Sequence, residues 1–190
     1  MKVPLFPLNT VLFPGGPLPL RIFETRYLDM VRDCVKNDEP FGVLLIRDGQ
    51  EAGQAPTYDI GTLARIIDWY QGSDGLLGVT AVGEQRFRVL SSESEANGLN
   101  VGEIELLPDE ETMPIPDEFR AMPGILAGVL DDLGRLYETI ERRLDDASWV
   151  SSRLIEVLPI DLETKQNSLE DADPAARLHL VKQIVSAAGQ

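Results

Sequence analysis

The spacing of hydrophobic positions changes partway along the chain. From Gln85 to Leu90, Phe87 and Val89 alternate with Arg86 and Arg88, and from Val101 to Leu107, Ile104 and Leu106 alternate with Glu103 and Glu105. A period of two gives a strand one dry face and one wet face. Phe41–Arg47, Tyr58–Trp69 and Leu76–Val82 are further strand-length apolar runs, the last two joined by the turn Gly72-Ser73-Asp74-Gly75. The strands 85–90 and 101–107 are predicted to pair antiparallel, with Arg86 and Arg88 facing Glu103 and Glu105. One helix interrupts this region. After Phe23-Glu24-Thr25 the apolar positions are Tyr27, Leu28, Val31, Cys34 and Val35, one stripe of a 3.6-residue helix, and Asn37-Asp38-Glu39-Pro40 ends it.

Beyond residue 108 the period lengthens. Leu126, Leu130, Leu133, Tyr137 and Ile140 mark a helix over Pro123 to about Leu144. Asp146 is the N-cap of a helix through Val150, Leu154 and Val157 that stops at Pro159, and Asp161 caps a short helix. Asp173-Pro174 starts another, with the stripe Leu178, Val181, Ile184, Val185 and Ala188. Between the two regions lies Pro108-Asp109-Glu110-Glu111-Thr112-Met113-Pro114-Ile115-Pro116, three prolines among acids. The expected organisation is a β-rich subdomain over 1–107, an acidic Pro-rich connector over 108–117 and a helical subdomain over 118–190. The class is α+β, with a mostly antiparallel, strongly curved sheet or barrel carrying one inserted helix.

Composition narrows the chemistry. Of 190 residues, 17 are basic and 32 acidic, for a net charge of −15, which repels phosphate backbones and disfavours nucleic-acid binding. One cysteine, Cys34, excludes an intramolecular disulfide, and one histidine, His179, leaves little for a metal site or a nucleophilic triad. No G-x-x-x-x-G-K-[ST], G-x-G-x-x-G, H-E-x-x-H, C-x-x-C or G-x-S-x-G occurs, so the reading is non-catalytic, with no cofactor and no metal. The start of the chain lacks the apolar core of a signal peptide, and no apolar run approaches membrane-spanning length. The expected compartment is the cytoplasm.

The least ordinary segment is Pro4-Leu5-Phe6-Pro7-Leu8-Asn9-Thr10-Val11-Leu12-Phe13-Pro14-Gly15, followed by Pro19-Leu20-Arg21-Ile22-Phe23-Glu24-Thr25-Arg26-Tyr27. Its prolines argue for a barrel edge and against a central strand. The two pieces resemble the P-L-F-P-L…V-L-F-P-G and P-L…I-F-E-x-R-Y elements of the N-terminal substrate-binding domain of the Lon protease family. Phe41-Gly42-Val43, Gly61-Thr62-Leu63-Ala64-Arg65-Ile66, Gly83-Glu84-Gln85-Arg86-Phe87-Arg88-Val89 and Leu158-Pro159-Ile160 with Lys165-Gln166 are similar to later family motifs in the same order. The resemblance spans about residues 2–188. It implies a PUA-like pseudo-barrel followed by an α-helical subdomain, and a module that recognises unfolded or peptide-like protein segments. The family's ATPase and protease motifs are not in these 190 residues, so the resemblance implies recognition alone, as an adaptor in protein quality control whose ATPase or protease partner is unknown.

The residues expected to meet a client are Phe6, Phe13, Trp69, Tyr70 and Trp149, with Glu24 and Arg26 as a rim. The groove is expected where the barrel meets the helical subdomain, with strand addition to the proline-rich segment 4–19. For each residue the alternative is ordinary packing: core or seam for Phe6 and Phe13, and a local cap and ion pair for Glu24 and Arg26. Alternative functions are an RNA- or nucleotide-binding PUA-like module and a scaffold in a complex, as the similarity to cereblon's Lon-like region implies. Client and oligomeric state are not legible.

Overall fold

A computed structural model describes residues 1–47, 56–138 and 140–188, in an α+β fold of six strands and six α-helices among those residues. The chain forms two compact units, Met1–Pro108 and Asp109–Gln190.

The first unit contains β1 (Lys2–Leu8), β2 (Pro17–Ile22), α1 (Thr25–Asn37), β3 (Phe41–Leu45), β4 (Ile60–Gln71), β5 (Leu77–Ser94) and β6 (Asn100–Leu106). β1 pairs β3, β3 pairs β4, β4 pairs β5, β5 pairs β6, and β6 returns to β1, so five strands close on themselves. All of these pairs are antiparallel except β1–β3, which is parallel. β2 lies outside the ring, antiparallel to the first half of β5.

One surface of the ring packs a small apolar core of Val3, Leu5, Leu44, Leu63, Phe87 and Ile104. Phe87 fills the space that Gly42 and Gly61 leave. A Cβ on Gly42 would stand 2.7 Å from the end of the Phe87 ring. In a small barrel the strand glycines make room for one large side chain. The opposite surface carries a larger core, in which Tyr27, Met30, Val31 and Cys34 of α1 pack against Phe6, Phe41, Val43, Val79 and Val101.

The structure corrects the edge reading of the proline-rich start. β1 is flanked by β3 on one side and β6 on the other. Its ladder to β6 covers Lys2 to Leu5, and its ladder to β3 covers Leu5 to Leu8. Met1 and Ile104 exchange backbone bonds, and the Leu8 carbonyl accepts from Ile46 N–H. Odd residues of β1 thus face β6 and even residues face β3. Pro4 faces β3 before that ladder begins, and Pro7 faces β6 after that ladder ends. Each proline stands where its missing N–H has no acceptor to meet.

Other expectations shift. The runs 76–82 and 85–90 belong to one long strand, β5, with Gly83 N–H bonded to the Gly16 carbonyl beside it. β5 and β6 do pair, and Arg88 opposes Glu105, with 3.8 Å between their charged groups. Arg86 does not face Glu103: the register that sets Arg88 against Glu105 carries Arg86 on to Leu107, whose N–H donates to the Arg86 carbonyl, while Glu103 lies opposite Ser91. Arg86 is buried and donates to the Pro108 carbonyl at 3.0 Å.

The second unit is helical: α2 (Met122–Leu133), α3 (Arg135–Glu138), α4 (Ala147–Val157), α5 (Leu162–Asp171) and α6 (Pro174–Ala188), preceded by a short 3₁₀ turn at Asp117–Phe119. The single helix expected over 123–144 is broken at Gly134, whose φ of 58° interrupts the helical backbone. The caps are as read. Asp146 accepts from Ser148 N–H at 3.0 Å, Asp161 from Thr164 N–H at 2.7 Å, and Asp173 from Ala175 N–H at 2.9 Å.

Candidate functional site

Leu18, Leu20 and Ile22 alternate inward along β2 and pack toward Tyr27 and Met30 of α1. Beside them a cleft of about 240 Å³ opens, lined by Phe6, Leu8, Asn9 and Thr10, by β2, and by Phe23, Glu24 and Tyr27 at the start of α1. All of its lining residues belong to the first unit. The Phe6 ring stacks on Tyr27 with centroids 3.9 Å apart, and both rings line the cleft. Asn9, Thr10, Arg21 and Glu24 supply polar groups around it.

Glu24 and Arg26 differ in role. Glu24 lines the cleft and stands at the N-cap of α1, where its side chain makes no capping bond. It accepts instead from Arg26 Nε at 2.9 Å. Arg26 lies over the Tyr27 ring and donates to the Gly98 carbonyl at 2.8 Å, which ties the first turn of α1 to the β5–β6 loop. Glu24 is therefore at the mouth, and Arg26 is a brace behind it.

The aromatic residues divide sharply. Trp69 is 60% exposed and Tyr70 52%. Trp69 pairs with Val79, which pairs with Leu20, so Trp69 shares the face of a cleft residue. Tyr70 lies on the other face, its ring across Gly78, next to Arg21, which ion-pairs with Asp74 of the hairpin turn. Phe6, Phe13 and Trp149 are buried, and of the three only Phe6 lines the cleft. Phe6 is spent on Tyr27. The Phe13 ring is buried and its carbonyl lies against Gly83. Trp149 sits on α4 with the Arg153 guanidinium 5.9 Å from its ring. The sequence reading missed Phe23, which is 68% exposed where β2 runs into α1 and lines the cleft. A signal existed, since Phe23 is out of phase with the inward alternation of Leu18, Leu20 and Ile22.

A second hollow, of about 400 Å³, is lined by Leu5, Pro7, Leu44, Thr57, Glu93 and Asn100 among others. Lys2 Nζ donates to Glu93 at 2.6 Å there and holds that carboxyl below its usual range.

Reactive chemistry is sparse. Cys34 is buried under α1, and burial pushes its thiol up to about 11. His179 is exposed, edge-on to Phe119 and 3.7 Å from Glu118. Among the described residues no group of three or more His, Cys, Asp or Glu could hold a metal ion. No described helix is long and apolar enough to cross a membrane.

In the second unit the polar groups turn inward. Arg177, 2% exposed, reaches both oxygens of Glu110, donates from Nε to Ser151 Oγ at 3.0 Å and from Nη1 to the Ser168 carbonyl at 3.3 Å. Arg153, fully buried, faces Glu156 with 2.9 Å between Nη2 and Oε2. Tyr137 donates to the other Glu156 oxygen, and Lys165 donates to the Glu156 backbone carbonyl at 2.7 Å. Burial pushes the Glu156 carboxyl up, against the opposing charge of Arg153.

The substrate-binding domain of the ATP-dependent protease La (Lon) matches residues 2–187. The chain belongs to the Lon substrate-binding domain family. A Lon protease 2 of Myxococcus xanthus is 26% identical over 192 residues, covering 97% of this chain and 23% of the relative. The protein cereblon of Xenopus tropicalis is 32% identical over 119 residues, covering 60% of this chain and 26% of that protein. The chain thus spans about a quarter of the length of these curated relatives. A solved Lon N-terminal domain protein from Xanthomonas campestris superposes with a TM-score of 0.77 at 36% identity, covering 98% of both chains. The N-terminal domain of a Mycobacterium avium complex Lon protease, at 18% identity and a TM-score of 0.64, shares the fold. Membership of the Lon substrate-binding domain family supports a substrate-recognition module.

Proposed function

We propose that the chain binds extended, apolar segments of unfolded proteins in the β2 cleft of its first unit, with Phe23 and Trp69 as anchors, and that it serves as an adaptor in protein quality control without catalysing a reaction itself. The observation that carries this reading is the cleft, lined by Leu18, Leu20, Ile22 and the exposed Phe23 beside a strand that pairs with β5 alone among the described residues, in a chain of the Lon substrate-binding family. Clefts of this kind bind through a few large aromatic contacts with a polar rim. A net charge of −15 adds long-range attraction for basic segments, so the favoured client is apolar and basic. The sequence carries no phosphate-cradling loop and no activated nucleophile, so hydrolysis is assigned to other machinery.

The test is fluorescence anisotropy with labelled extended peptides rich in Leu, Phe, Lys and Arg. Binding tighter than about 1 mM is expected, falling as salt rises. Phe23→Ala and Trp69→Ala should each weaken it about fivefold. If no peptide binds, the recognition reading fails. Binding that ignores both substitutions moves the site elsewhere on the molecule.

A further inference from the structure

Among the described residues β2 pairs with one strand only, β5. Gly83 N–H donates to the Gly16 carbonyl at 2.9 Å, and the register runs on through Leu18 with Ala81, Leu20 with Val79 and Ile22 with Leu77. Successive residues of a strand aim their backbone groups to opposite sides. Gly16, Leu18, Leu20 and Ile22 therefore turn theirs toward β5. Pro17, Pro19 and Arg21 turn theirs away from the sheet. Proline has no N–H. The outer edge of β2 thus keeps its carbonyls at all three positions and has a single donor, on Arg21. Pro19 and Arg21 are exposed and line the cleft, so this edge is one of its walls.

We infer that this acceptor-rich edge takes a client segment as a one-sided ladder and, by the same missing donors, refuses a second copy of itself. The inference rests on the proposed cleft function. A proline-poor client brings its own N–H groups, which donate to the outward carbonyls of β2 while alternate apolar side chains enter the cleft. A second β2 brings the same deficit. Pairing two such edges sets carbonyl against carbonyl and leaves acceptors unpaired. The net charge of −15 works in the same direction, since two copies repel while a basic segment is drawn in. The occupant is therefore an extended, apolar and basic stretch of unfolded protein, with backbone donors free at every second residue.

The experiment has two arms. In the first, a binding peptide is N-methylated at alternate residues, and a companion peptide carries the same methyl groups shifted by one residue. One register removes the donors that face β2, the other those that face solvent. A loss of about tenfold in one register and little in the other is expected. Equal effects in both registers overturn the one-sided ladder. In the second arm Pro19→Val restores an N–H at an exposed position. Pro19→Ala restores the same donor with a smaller side chain, and circular dichroism reports that each variant is folded. Both should sediment as larger, self-associating species than the natural protein at the same concentration, and both should hold the unmethylated peptide tighter. Variants that sediment as the natural protein does, with unchanged affinity, overturn the inference. If the unmethylated peptide does not bind the natural protein, the cleft function has failed, and sedimentation of the two variants alone decides the edge.

Discussion

The two units of this chain handle their polar groups in opposite ways. The first builds two apolar cores and leaves β2 paired to one strand among the described residues, so the outer edge of β2 and the exposed Phe23 and Trp69 lie at the surface. The second buries two guanidinium groups, each against one carboxylate; Arg177 is tied as well to a hydroxyl and a backbone carbonyl, whereas Arg153 has only its ion pair with Glu156 as a polar partner among the described residues. Apolar packing tolerates an open edge, because its energy is non-directional. A buried ion pair does not, because each charge needs its partner in place. The first unit is thus suited to meet a variable client, and the second to hold one arrangement.

The largest expected effects break each unit at its own kind of anchor. Arg177→Ala strands Glu110 in a largely buried site and should cost about 3–5 kcal/mol. Replacing both members of the pair, Arg177→Met with Glu110→Leu, should recover most of that loss, since no charge is then left alone. Phe87→Ala empties the small core and should also cost about 3–5 kcal/mol, with no comparable rescue from a polar partner. Urea midpoints for the four proteins check this. A double variant no more stable than Arg177→Ala would show that the pair is more than an electrostatic match.

The β-unit was legible in the sequence because period two writes its faces directly, and the caps of α4, α5 and α6 because Asp146, Asp161 and Asp173 each stand before a periodic run. What was not legible depends on partners distant in sequence. Pro4 and Pro7 looked like edge markers, and only the change of partner from β6 to β3 shows how a flanked strand holds them. Glu110 looked like part of an acidic connector, and its bond to Arg177, 67 positions away, leaves no local trace. Phe6, Phe13 and Trp149 were singled out by size. Size marks a core residue as readily as a binding one, and packing decides between them.

A smaller effect separates the buried charges by pH. Burial raises the Glu156 carboxyl above its ordinary range, so the folded state holds that proton more tightly than the unfolded chain does. Its contribution to stability is full below the ordinary carboxylate range and is lost as pH rises through the raised value. Asp161 has the opposite sign. The Thr164 N–H holds its carboxyl low, so the contribution of this cap is present at neutral pH and is lost on acidification. Glu156→Gln should flatten the decline in urea midpoint above about pH 5 and leave the acid limb in place. Asp161→Asn should weaken the acid limb alone. Identical pH profiles for the two variants would remove the distinction drawn between a buried and a surface carboxylate.

The smallest expected effect on stability comes from the open edge. Phe23 and Trp69 are mostly exposed, so Phe23→Ala and Trp69→Ala remove little buried area and should change the unfolding free energy measured in urea by no more than about 0.5 kcal/mol. The same substitutions should weaken peptide binding several-fold, because aromatic anchors gain their contacts only when a client covers them. This split between stability and binding is what sets the first unit apart. In the second, none of the aromatic residues Phe119, Tyr137 and Trp149 is exposed. Its aromatic residues Tyr137 and Trp149 are buried, and Tyr137 is bonded to Glu156. Trp149→Ala should therefore destabilise by about 3–5 kcal/mol, the ordinary cost of emptying a core position. If Phe23→Ala or Trp69→Ala proves as destabilising as Trp149→Ala, those side chains are holding the fold, and the contrast between an open unit and a closed one goes with them.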